Sequence, residues 1–218
     1  MTLKKISISG LLFLIVGGLL ITSCSSVDEN DVTPNGPVAI QLSSNVNVIS
    51  RASLQDTQIE NGQEVGLFVK KASPLTDILY SNEKITANGS GGFAYSSSMF
   101  YPISNENVDF YAYHPFETGN LLDNTLTFHV KADQSVKANY LNSDLLYAEN
   151  TNVAKTTSAV PMKFYHKLTK LNFTVKEGSG MDLSGMTSVE VLGLNPAVTM
   201  DLKGGGISAA SGSVTPII

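Results

Sequence analysis

The chain has one cysteine, no tryptophan and a single arginine in 218 residues, and only 15% of it is charged. A lone cysteine excludes any intrachain disulfide, so the fold must be held by its apolar core. With 14 lysines and arginines against 19 acids, the sequence carries no basic stripe, and a nucleic-acid partner is not expected. Catalytic signatures are equally scarce. No Gly-x-Ser-x-Gly elbow leads into a helix, and the glycine clusters lack the lysine and strand-to-helix setting of a phosphate loop. No local spacing singles out a carboxylate pair for glycoside hydrolysis. The three histidines, His114, His129 and His166, fall on separate predicted strands with no other ligand at metal spacing, so they read as ordinary strand residues. No cofactor, metal site or enzymatic activity is expected.

The cysteine that is present stands in an informative place. Lys4-Lys5 precede an apolar run from Ile6 to Ile21, then Thr22-Ser23-Cys24. The run falls short of the roughly 20 residues of a spanning helix, and its layout is that of a lipoprotein signal peptide cut before Cys24. Lipid (palmitate or a similar acyl chain) on Cys24 would anchor the mature chain in the outer membrane, each buried methylene contributing about 0.8 kcal/mol. The competing assignment is a conventional export signal with a chance cysteine, since Ile21 is less usual than Leu at that position. Loss of residues 1–23 removes two lysines and no acid, moving the formal charge from −5 to −7. The polar, acidic stretch over residues 24–37 reads as a flexible tether.

From residue 38 onward, strand signals dominate. Val38–Leu42 and Val46–Ala52 read as two strands around a Ser43-Ser44-Asn45 turn. Further strands are expected at Glu64–Lys70, Val108–His114, Thr125–Val130, Leu145–Ala148, Val160–His166, Leu168–Val175, Ser188–Leu194, Val198–Leu202 and Val214–Ile218. A short helix fits only Ala132–Asn142. Turn chemistry separates the strands, as at Asn88-Gly89-Ser90-Gly91-Gly92 and Lys203-Gly204-Gly205-Gly206. The fold class is therefore all-β, an antiparallel β-sandwich over residues 38–218, with Phe68, Phe110, Phe164 and Leu171 in or near the core. Alternation along Val108–His114 places Val108, Phe110, Ala112 and His114 on a core face. Asp109, Tyr111 and Tyr113 share the opposite face, to be covered by a second sheet or, alternatively, exposed as a platform for sugar rings.

The order of several motifs resembles that of the fimbrillin-like lipoproteins, which build type V pili. They are Ser50-Arg51-Ala52, Glu64–Val69, Tyr101-Pro102, Val108–Pro115, Phe164–Leu171 and Val189–Gly193. The resemblance implies a transthyretin-like β-sandwich, the N-terminal domain of a fimbrial subunit. The family's usual C-terminal domain is expected to be missing, since the chain ends at Ile218. It also implies proteolytic maturation, for which Arg51 is the candidate site, followed by assembly with other fimbrial subunits through strand donation. The resulting expectation is a non-enzymatic, lipid-anchored, surface-exposed subunit of a fimbrium that supports adhesion to a host or bacterial surface receptor. The alternative is a surface glycan-binding lipoprotein.

The anchor is directly testable. Cys24→Ala is expected to release the protein from outer-membrane fractions or leave its signal uncut, as read by fractionation and acyl labelling. Unchanged labelling and attachment would remove the lipoprotein assignment.

Overall fold

Strand β5, Val108–His114, is buried at every residue, so both of its faces need cover. In the computed structural model, which describes residues 36–47, 57–75, 77–118, 121–122, 125–210 and 212–218, that cover comes from two sheets. The elements are β1 (Leu42–Val46), β2 (Glu64–Lys71), β3 (Ile78–Ala87), β4 (Phe93–Tyr95), β5, β6 (Leu121–Leu122), β7 (Thr125–His129), α1 (Lys137–Leu141), β8 (Leu146–Val153), β9 (Val160–His166), β10 (Ala197–Asp201) and β11 (Ile207–Ala209). A seven-stranded sheet runs β1-β9-β8-β5-β2-β3-β4, and a four-stranded sheet runs β11-β10-β7-β6. The protein is nearly all β, as expected.

Alternation explains which side chains go where. On β2, Val65, Leu67 and Val69 point into the first core, where they meet Phe110 and Ala112 of β5, Leu146 and Ala148 of β8, and Val160, Met162 and Phe164 of β9. On the other face of β5, Tyr111 and Tyr113 join Tyr147 of β8 in a second core shared with Leu126 and Phe128 of β7 and Met200 of β10. The tyrosine face is thus covered by the second sheet, and no sugar-stacking platform is available there. Tyr113 lies directly over Gly66 of β2, where any Cβ would overlap its ring. Asp109, though buried, accepts the Asn152 N–H at 2.8 Å, satisfying a donor left over where the β5–β8 register shifts.

Several expectations are corrected. Residues 43–45 do not turn: Leu42–Val46 is one continuous strand, its outward Ser43 and Asn45 supplying polarity where turn propensity had been read. It also pairs parallel to β9, so the large sheet is not wholly antiparallel. Leu168–Val175 forms no strand, and Leu171 is 56% exposed, because after His166 the chain leaves the sheet and, among the described residues, no strand pairs with the segment. Ser188–Leu194 and Val214–Ile218 meet only at one bridge, between Val191 and Ile217. Strands β3, β4, β6 and β11 went unanticipated. The short helix falls inside Ala132–Asn142 as expected.

Phe110→Ala and Phe164→Ala are expected to cost about 3–5 kcal/mol each in chemical denaturation, while Leu171→Ala stays within about 0.5 kcal/mol. Equal losses at all three positions would contradict this core.

His114 gives a second expectation. Its Nδ1 and Nε2 face the carbonyls of Glu64 (2.9 Å) and Leu141 (3.2 Å), and burial lowers its pKa below the ordinary histidine value. The unfolded chain then takes up a proton that the folded one refuses. Stability is expected to fall as pH drops below about 6.5, a slope missing from His114→Gln in pH-dependent urea titrations.

Candidate functional site

The most distinctive construction in the protein is the seat of its N-terminal strand segment, residues 38–47. Even-numbered residues Val38, Ile40, Leu42, Ser44 and Val46 are all buried, and Gln41 and Asn45 are exposed. A strand of this pattern has one face for a core and one for water. Main-chain bonds run along both of its edges. Toward β9, the Val160 N–H donates to the Gln41 carbonyl and the Asn47 N–H to the Phe164 carbonyl, both at 2.8 Å. On the opposite edge, the Ile40 N–H donates to Met99 (2.8 Å), Ser44 to Gly91 (2.7 Å) and Val46 to Thr57 (2.9 Å). The Tyr101 N–H donates back to Val38 at 3.0 Å. Side chains help as well, since the Tyr95 hydroxyl accepts the Leu42 N–H at 2.8 Å.

β1 thereby joins the two ends of the seven-stranded sheet, pairing with β9 and bridging from Ser43 to Gly92 beside β4. Inward, it lies on a groove whose floor and walls include Val160, Met162, Phe164, Met99 and Tyr101. Tyr101 packs edge-on against Phe110, with ring centroids 6.2 Å apart. Burial and the neighbouring Tyr95 push its hydroxyl pKa up to about 12. Among the described residues, that hydroxyl has no hydrogen-bond partner. Such a groove holds an extended backbone through a two-sided ladder while sorting its alternate side chains.

The residues singled out from sequence are placed as follows. Cys24 and the maturation candidate Arg51 lie outside the described residues, as do the leader and most of the tether. Among the described residues, no helix is long and apolar enough to cross a membrane. The three histidines do not converge: His114 is buried under β2 and α1, His129 is exposed on β7, and His166 sits 2.7 Å from Asp144. Tyr95, Gly91 and Met162, which shape the groove, were not anticipated. Their signal was the alternation of residues 38–46, obscured by the serines and asparagine read as a turn.

Residues 50–218 match the family described as Fimbrillin-like. A curated relative named "Putative fimbrium subunit Fim1C", from Bacteroides uniformis, is 28% identical over 210 residues, covering 92% of this chain and 67% of the relative. The crystal structure of a putative cell adhesion protein from Bacteroides uniformis superposes with a TM-score of 0.63 at 27% identity, over 84% of this chain and 70% of that one. A second putative cell adhesion protein, from Bacteroides ovatus, shares the fold with a TM-score of 0.57 at 18% identity, over 84% of this chain and 71% of that one. Sequence match and fold agree over most of the described residues, and the chain belongs to the fimbrillin-like family.

Proposed function

We propose that the chain is a subunit of a cell-surface fimbrium, tethered through lipid on Cys24 until it is cut after Arg51, and then assembled by strand replacement. The observation that carries this reading is the seat of residues 38–47. The segment is bonded along both edges and apolar on one face, and it is followed in sequence by the only arginine of the chain. Cleavage there would sever β1 from the rest of the fold. Its departure would orphan backbone donors and acceptors on two sides, each costing about 1–3 kcal/mol if left buried without a partner. A neighbouring subunit's extended strand restores both ladders and refills the apolar row, linking one subunit to the next.

Other fimbrial subunits are the partners in this reading, and adhesion through a surface receptor is its outcome; relatives described as cell adhesion proteins support it. The uncut chain stays monomeric because its own strand occupies the seat.

The test compares the intact protein, the protein cut by an arginine-specific protease, and an Arg51→Ala variant exposed to the same protease. Each is mixed with full-length fimbrial subunits and followed by size-exclusion chromatography and electron microscopy. Only the cut wild-type chain is expected to enter high-mass assemblies. Equal assembly in all three samples would rule out cleavage at Arg51 as the switch.

A further inference from the structure

The inward rows of β1 and β9 have complementary sizes. Parallel pairing sets Leu42 beside Val160, Ser44 beside Met162 and Val46 beside Phe164, and all six residues are buried. The smallest side chain of the β1 row therefore stands next to the long, flexible Met162. The main chain is also crowded at this point. The Ser44 N–H donates to the Gly91 carbonyl at 2.7 Å, and a Cβ built at Gly91 would stand only 3.1 Å from the Ser44 carbonyl oxygen. Gly91 has φ +83°, a left-handed conformation that favours glycine, so the backbone on that side is fixed close to the strand. Ser44 is thus flanked closely on both sides, by Met162 of β9 on one and by the Gly91 backbone on the other.

We infer that Met162 is the specificity residue of this groove: any strand seated in it must carry a small residue beside Met162. That strand has large aliphatic side chains two, four and six positions before the small residue and a β-branched one two positions after it, the pattern of Val38, Ile40, Leu42, Ser44 and Val46. The occupant is an extended peptide of this alternating chemistry, and the part of the inference that concerns a donated strand rests on the strand-replacement reading above. Met162 sets register as well as identity. A slip of one residue turns the exposed Gln41 and Asn45 inward. Slipping by two drives Leu42 or Val46 against Met162, where a well-packed interior has no volume to give.

Two experiments test the rule, one independent of assembly. In the intact full-length chain, Ser44→Ala is expected to leave the urea midpoint close to wild type. Ser44→Leu lowers it, and Met162→Ala combined with Ser44→Leu recovers a large part of that loss. In the chain cut at Arg51, fluorescent peptides of residues 36–47 are offered to the groove. The Ser44→Leu peptide is expected to bind at least about tenfold more weakly than the wild-type or Ser44→Ala peptide, and the Met162→Ala protein narrows that gap. Ser44→Leu tolerated like wild type in both settings, or unaffected by Met162→Ala, overturns the inference. If no peptide enters the cut chain while the intact chain shows the Ser44–Met162 coupling, the size rule holds and strand replacement is what fails.

Discussion

Everything in this fold follows from β5 being buried on both faces. A strand buried at all seven of its residues cannot sit in a sheet with one wet side. One face, with Phe110 and Ala112, is enclosed because the large sheet curls until β1 bridges its two ends. The other, with Tyr111 and Tyr113, requires a separate sheet, and β7 and β10 supply Leu126, Phe128 and Met200. Glycine at two positions lets the large rings of this second core lie flat on backbone: Tyr113 over Gly66 and Tyr147 over Gly205. The buried tyrosine hydroxyls then find partners locally. Tyr113 donates to the Asn82 side chain at 2.8 Å and Tyr147 to Glu149 at 2.9 Å.

The first core is the more consequential, because its closure depends on a piece of chain close to the N-terminal end of the described residues. β1 contributes Leu42 and Val46 to that core and, with Val38 and Ile40 before it, most of one wall. A terminal strand paired on one edge is an ordinary accessory to a sheet. Here the second edge is bonded too, to the main chain of Thr57, Gly91 and Met99, and among the described residues the segment is followed, not preceded, by the rest of the fold. That combination is what the strand-replacement proposal uses: a segment bonded on two sides whose loss leaves two rows of backbone groups to be satisfied.

Period-two alternation made much of this fold legible in the sequence. β2, β5, β7, β9 and β10 all fall in segments expected as strands, and the two-faced character of Val108–His114 followed from its alternation. What was not legible came from competition between local chemistry and tertiary placement. Ser43-Ser44-Asn45 has turn composition, but outward positions 43 and 45 tolerate polarity, and Ser44 stands buried beside Met162. Conversely, Leu171, Phe173 and Val175 alternate as well as any strand and yet stand 56%, 60% and 46% exposed. Alternation declares a face that needs cover, and cannot say whether cover is present. The candidate site was legible only in part. The apolar alternation of Val38, Ile40 and Leu42 showed in the sequence, whereas Met162 and Gly91 carry no signature until β1 is laid beside them.

Under the strand-replacement proposal, exchanging β1 for a similar strand changes little in summed contacts, since the same ladders and the same pockets are refilled. The direction of such an exchange is therefore set by connectivity. While residues 38–47 remain joined to the fold, they return to the groove at the high effective concentration of a short tether, on the order of millimolar. A free competitor at cellular concentration loses to that. Once the joint is cut, the segment becomes a small separate ligand whose departure is favoured by dilution, and a neighbour's strand carried on a large, already ordered partner holds the advantage. Under the strand-replacement proposal, a single cut supplies the directionality of assembly without any change in the groove itself, and the Ser44–Met162 fit decides which strands profit from it.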